Sequence, residues 1–562
     1  MKILIEDYAY NEKDVTIDGV HVFPFEAANG GKVKYDRVGY FFNPRFAKPD
    51  CVFILPKVVL DERNKVFGRY DPKAIVDIDA SVEDEKLTKE ERDFLYGFSV
   101  WIFRAIAEYR RLNKDSSIIH QEAIAAVDKT NRAIEGTWLE LMLAVLRCCD
   151  DNRDFFMFVM KNIHSGYNKI NWRRTISSQT AWISKGKPMY LDLVNRKKQI
   201  NFDEELLVIF FSIVQYICDT YGFKAKVNCN YRLITQPRFE RYLNGYGCTR
   251  LRQIKYRYFT DKSIEVWRLC YDFFDRASQI HSSRDCKDYL LVTSFYHVFE
   301  SMIEELIGDK NAAQRMKKQK DGKVLDHIYP YTSLVNPEEN MLYIADSKYY
   351  HVGSDVRGES LFKQFTYAKN VIQYNIDSLP ENNERDIDGA LPYRDNLTEG
   401  YNITPNFFIS AKIDGDRLGE YNVSHLAHVD DVCSRHFINR LFDRDTLWLS
   451  HFSVNFLYVL SLYAAADEGA KKQFRDATRF RFRAAIIKLL NRKYKIWRLL
   501  FEHPSDMYDF VNRNFRRLAG KMFRYDDVLL LALDVENGVL TEDSEAVLAK
   551  LEKVTLEPYT LE

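Results

Sequence analysis

KVLDHIYPYTSLVNPEENMLYIADSKYY, residues 323–350, decides how the chain is read. Two apolar runs, KVLDHIY and MLYIADSKYY, flank a turn-rich connection that carries Asn336-Pro337. Short apolar runs bounded by Gly, Pro and Asn read as strands. The second run takes Asp346 and Lys348, two positions apart, into an apolar strand, and alternate residues of a strand share a face. Asp326 lies in the first run, behind a turn signal at Asp321-Gly322, with 19 residues between it and Asp346. If the two runs pair as neighbours, both acids and Lys348 meet on one side of one sheet.

Two carboxylates held that close repel each other and call for a cation. Mg²⁺ suits them, because it takes hard oxygen ligands, keeps several waters and is held by one or two carboxylates plus a phosphate. Asp326 and Asp346 are the expected metal ligands, with the Ser347 backbone carbonyl beside them. Lys348 would orient water or offset charge on a phosphate. A third acid, Glu300, lies on the amphipathic run SFYHVFESMIEELIG, one turn before Glu304. Lys363 and Gln364 open the next helical run, where they would reach a phosphate or the metal-bound water. An isolated Asp-x-Lys usually marks a solvated strand end. The ordered set of helix Glu, strand Asp, strand Asp-x-Lys and helix Gln is much rarer by chance.

Outward from this core, residues 1–75 read as β-rich, and 87–111 as a helix with Phe94, Leu95, Phe98, Trp101, Ile102 and Ala105 on one stripe. Helical patterns continue through 136–163. Residues 164–199 are rich in Gly, Ser, Asn and basic residues, with short strand-like pieces. Helices follow at 203–222 and 263–280, then a long one at 287–307 with Gly308 as its C′ residue. After the two strands come a helix at 359–374, the strand NFFISAKI, the strand DTLWLSHF and the helix VNFLYVLSLYAAA. Residues 469–530 read as basic helices and 536–562 as a short acidic tail. The expected division is 1–280, 281–465 and 466–562.

Lys plus Arg and Asp plus Glu are both 81, so any polyanion-binding surface is local. Nine cysteines without a CxxC pair point to a reducing compartment and no structural zinc. The N-terminus lacks an apolar signal region, and the longest apolar run, residues 206–217, is too short to span a bilayer. A cytoplasmic protein without membrane contact is expected. There is no GxxxxGK[ST], GxSxG or HExxH.

Asp326, the 19-residue gap and Asp346-Ser347-Lys348 resemble the PD-(D/E)xK nuclease signature. ADSKYYHVGSDVRGESLFKQFTYAK (345–369), HFINRLFDRDTLWLSHFSVNFLYVL (436–460) and the run from Asn171 to Lys198 resemble the LlaJI family of restriction endonucleases and its McrC relatives. The resemblance implies an α+β multidomain chain around a PD-(D/E)xK nuclease core, a mixed sheet with flanking helices. It implies hydrolysis of phosphodiester bonds in double-stranded DNA with Mg²⁺, Mn²⁺ being able to replace it, in a bacterial phage-defence system. It further implies an McrB-like AAA+ GTPase partner, with room for a methyltransferase from the same operon. Glu300, Asp326, Asp346, Lys348 and Gln364 would then be catalytic. The chain departs from the pattern twice: Leu325, not proline, precedes the first acid, and Tyr367 follows Gln364 by three positions rather than four.

Lys471 to Arg524 holds 16 Lys or Arg against 4 acids. Interleaved with Phe, Tyr and Trp, Arg479, Arg481, Arg483, Lys488, Arg492 and Lys493 are the expected DNA contacts, sequence-independent and salt-sensitive. Trp172, Arg173, Arg174 and Lys198 form a second basic zone, suited equally to nucleic acid and to a GTPase. His436 and His451 read as packed residues. Two rival readings stand beside the restriction nuclease: a repair or RNA nuclease acting alone, and a non-catalytic activator or scaffold of a GTPase.

Overall fold

The computed structural model describes residues 1–24, 31–83, 86–123, 136–152, 157–163, 169–228, 230–283, 286–309, 317, 324–349, 358–378, 393–413, 426–465, 467–551 and 554–562. The turn signal at 321–322 and part of the 345–369 block lie outside them. The fold is mixed α+β, with several sheets and an extensive shared apolar core.

The first sheet runs Lys2–Ile5, Asp50–Leu55, Arg37–Asn43, Tyr289–Thr293, Ile119–Glu122. Its inner strands are apolar on both faces because both faces are covered. Val38, Tyr40, Phe42, Phe53 and Leu55 join the main core, which includes the helix Lys89–Leu112. Leu4, Phe41, Val52 and Ile54 alternate into a smaller cluster on the other side. Thr88 and Glu91 cap that helix reciprocally. Gly39 sits at φ 140°, and a Cβ there would lie 2.3 Å from the Leu290 carbonyl oxygen, so strands 37–43 and 289–293 require glycine where they cross.

Tyr289–Thr293 corrects the single helix expected at 287–307. It is a strand, turning at Ser294 (φ 61°) into the helix Tyr296–Leu306. It belongs to the N-terminal sheet although it follows residue 280. Phe158–Ile163 is likewise a strand.

The second large sheet holds the residues of interest. Its order is His327–Thr332, Asn340–Lys348, Asn406–Lys412, Leu447–Asn455, Leu426–Ser434, and its successive pairings are antiparallel, parallel, parallel and antiparallel. Pro330 is tolerated because its strand is an edge. Tyr329, Tyr343, Phe407 and Phe452 lie on one face, where Phe482 of the helix Glu468–Lys493 packs 4.4 Å from Phe407 and 4.8 Å from Phe452, centroid to centroid. The helix Glu359–Ser378 reaches the other face through Gln364 and Asn406.

The C-terminal region is not a run of helices with a tail. After Glu468–Lys493 the chain forms a sheet in the order Met522–Tyr525, Val528–Glu536, Tyr494–Leu500, Thr555–Tyr559, with the helix Pro504–Leu518 beside it. The acidic tail supplies its last strand, and Tyr559 donates to the Val335 carbonyl at 3.1 Å.

Candidate active site

His327 stands opposite Ala345 in the antiparallel register, so Asp326, one residue before the strand, comes opposite Asp346. Directly opposed residues share a face. The Asp326 and Asp346 carboxyl groups therefore lie side by side, close enough to act directly on each other's protonation. Burial and the Asp346 carboxyl group, with a smaller push from Glu300, raise Asp326 from its ordinary 3.8 to about 9; the Ser347 N–H, donating at 3.3 Å, opposes this. At neutral pH burial and the neighbouring Asp346 charge therefore favour the protonated form of Asp326.

Lys348, two residues on and on the same face, ion-pairs with Asp346, its ammonium 5.1 Å from the Phe408 ring centroid. The Lys348 side chain is 12% exposed and that of Asp346 5%. Lys363 is exposed at the start of its helix; burial lowers its pKa, but Tyr367, Asp346 and Asp326 outweigh that and hold it raised. A second cation thus lies within electrostatic range of the acid pair, its ammonium 5.5 Å from the Tyr367 ring centroid. Glu300 acts on Asp326 at longer range, with its carboxylate bonded to His297 Nδ1 at 3.1 Å.

Gln364 lies against the acid-bearing face, at the position of Asn406, whose register partner Ile344 is two residues before Asp346. It is buried, and its Nε2 donates to Asn406 Oδ1 at 2.7 Å. The helix closes over the sheet at this point, and the Gln364 Oε1 is left buried without a hydrogen-bond partner among the described residues.

The expected DNA track divides in two. Arg479 donates to the Ile307 and Gly308 carbonyls at 2.8–2.9 Å and covers the Tyr329 ring at 4.2 Å. Arg483 is buried and donates twice to the Ser333 carbonyl, at 3.1 and 2.8 Å. Both guanidiniums turn inward because helix-end and loop carbonyls need donors there. Arg481 is half-buried, while Lys488, Arg492 and Lys493 are exposed.

Two polar networks were not foreseen. Behind the pair, His327 bridges Glu304 (Nδ1, 2.9 Å) and Ser347 (Nε2, 2.6 Å), and Lys317 ion-pairs with Glu304. The signal was the alternation itself: His327 and Ser347 each neighbour an acid in sequence, so they face the other way. On the acid-bearing face, His451 Nε2 meets Ser410 Oγ at 2.9 Å, and its Nδ1 lies 3.3 Å from Asp430. Ser410 is the register partner of Lys348, so His451 adjoins the site.

The donors fit a hard divalent cation: the buried Asp346 carboxyl and the half-buried Asp326 carboxyl adjoin on one sheet face, and their mutual repulsion is what a cation would relieve. Among the described residues no group of three or more His, Cys, Asp or Glu is placed to hold a metal. Any ion here would therefore rest on the two aspartates and its own waters. No protein-family model matches the chain, and no curated protein matches it. Among the described residues no helix is long and apolar enough to cross a membrane.

Proposed function

We propose that this chain is a Mg²⁺-dependent endonuclease that hydrolyses phosphodiester bonds of double-stranded DNA. One observation carries the reading: the Asp326 and Asp346 carboxyls meet on one sheet face with the Lys348 ammonium against them. The order of helix, strand, strand, helix and parallel strand around them agrees with a PD-(D/E)xK core. Divalent-ion chemistry would supply an activated water and polarisation of the phosphate. Asp326 and Asp346 would hold the ion, beside the Ser347 carbonyl and with Glu300 adding negative charge further out. Asp326 must first give up its proton. Lys348 then balances charge on the phosphate as water attacks phosphorus in line and the bond to the leaving sugar oxygen breaks. Lys363 meets the phosphate from the open side. A nuclease subunit of a restriction system, working beside an McrB-like GTPase, is the setting this reading favours.

The test is nicking of supercoiled plasmid in Mg²⁺, with and without such a GTPase. Lys348→Ala is expected to cut at least about 100-fold more slowly, the loss that follows removal of one positioned charge-stabilising donor, while the chain stays folded although the buried Asp346 carboxyl loses a partner at a cost of about 1–3 kcal/mol. Wild-type rates from this variant would refute the assignment.

A further inference from the structure

The described residues 158–163 and 169–200 form a small, largely exposed module with an unusual charge pattern: nine Lys or Arg and one acid, Asp192. Every one of the nine basic side chains is exposed, and none ion-pairs with a carboxylate among the described residues. The module has almost no core. Thr175, Val194 and Asn195 are its buried residues among those described, and Thr175 Oγ ties the helix Trp172–Ser178 to the sheet by accepting the Val194 N–H at 3.0 Å.

Its three-stranded sheet sets like charges directly across from each other. Lys197 pairs with Lys161, and Arg196 pairs with Lys169. Like charges in opposed positions destabilise a sheet. Successive residues alternate faces, so Lys161 and Lys197 project from one face and Lys169, Arg196 and Lys198 from the other. Neither face is a core face. Beside the sheet, Ala181–Ser184 and Lys187–Tyr190 form a hairpin turning through Lys185 and Gly186, both at positive φ. It leaves Trp182 64% and Ile183 79% exposed. A cluster of exposed large apolar side chains marks an interaction surface.

We propose that this module is a duplex-DNA clamp, a basic β-ribbon that lies between two phosphate strands. Repulsion built into both faces is relieved by a ligand carrying negative charge on two sides. The walls of a duplex groove have that form, and the major groove admits a β-ribbon. An acidic protein surface offers charge to one face only. The proposal takes its ligand class from the nuclease reading, but it concerns binding and not cleavage.

The experiment uses the full-length chain and a fluorescent 30-base-pair duplex in EDTA, so that cutting is absent. Binding is titrated from about 50 to 200 mM salt, the range over which phosphate contacts weaken strongly. Lys161→Gln with Lys197→Gln should weaken binding at least about tenfold and reduce the slope of log affinity against log salt by about 0.9 for each phosphate no longer neutralised. Arg196→Gln with Lys198→Gln, on the other face, should do the same. Because repulsion between Lys161 and Lys197 is removed, the first variant should melt no lower than wild type; the second also gives up the Lys198 contact with the Phe158 ring (3.9 Å) and the Arg196 bond to Asn171 (3.3 Å), so stability is judged on the first. Unchanged DNA affinity would overturn the proposal, as would a drop in affinity together with stability, which would make these lysines structural. Retained DNA binding with loss of binding to an McrB-like GTPase would assign the surface to a protein instead. Wild type that binds through these residues yet never nicks plasmid would defeat the nuclease reading alone.

Discussion

Asp326 carries a proton that an exposed aspartate would have released. Between its ordinary 3.8 and about 9, the folded chain binds this proton and the unfolded chain does not. More protons bound in the native state means that stability falls as pH rises through that window, by up to about 1.4 kcal/mol per pH unit. In EDTA the melting temperature should decline from mildly acidic to alkaline pH, and Asp326→Asn should flatten that decline; a variant that tracks wild type would disprove the retained proton. A divalent cation competes with the same proton. Mg²⁺ should therefore raise the melting temperature more at alkaline than at mildly acidic pH and release close to one proton, read by calorimetry in two buffers of different ionisation enthalpy. At this scale the acid pair and Lys348 were legible because strand alternation and one antiparallel register determine who faces whom. The His327 and His451 networks were not, since a histidine's partners come from strands and helices far away in sequence. Gln364 was legible as a residue early in the next helix, but its partner Asn406, on a strand 42 residues on, was not.

Arginines at the element level act as tethers more than as a surface. Arg479 and Arg483 join the long C-terminal helix to the end of the helix Tyr296–Leu306 and to the loop at Ser333, and so hold two flanking elements against the sheet that bears the acids. Arg483→Ala leaves the Ser333 carbonyl without these donors, at a cost of roughly 1–3 kcal/mol in urea unfolding, while affinity for duplex DNA in EDTA stays at the wild-type level. Loss of DNA binding at unchanged stability would restore this residue to the expected track. The basic, aromatic composition of 471–524 does not separate a solvated face from a set of internal donors, because arginine serves both. Tyr289–Thr293 and Phe158–Ile163 were misjudged for a simpler reason. A five- or six-residue apolar run fits a buried strand and a helical turn equally well, and only its neighbours decide. Tyr494–Leu500 continues a long helical pattern without a break in composition, so its partner strands, one from the acidic tail, were invisible locally.

For the molecule as a whole, the N-terminal sheet meets the acid-bearing sheet one residue beyond Lys348. Tyr349 is buried and donates its hydroxyl to Glu6 Oε2 at 2.6 Å, and the same oxygen accepts the Lys57 N–H at 3.0 Å. Burial raises the Glu6 carboxyl, although both donors pull it down. Removing one donor leaves a buried carboxyl short of a partner, which costs about 1–3 kcal/mol. Because Tyr349 adjoins Lys348, it also pins the end of the strand that aims the ammonium. Tyr349→Phe keeps the ring and its packing against Phe295 (centroids 5.7 Å apart) but loses the anchor. Its plasmid-nicking rate should fall about tenfold or more, since small misplacements of a positioned group are costly, while DNA affinity in EDTA stays unchanged. Tyr329 is the control: its hydroxyl is buried with no hydrogen-bond partner among the described residues. Tyr329→Phe should be neutral or stabilising and should cut at the wild-type rate. Equal nicking by Tyr349→Phe and Tyr329→Phe would mean that the N-terminal sheet does not position the acid-bearing strand, and that the contact between the two sheets serves stability alone.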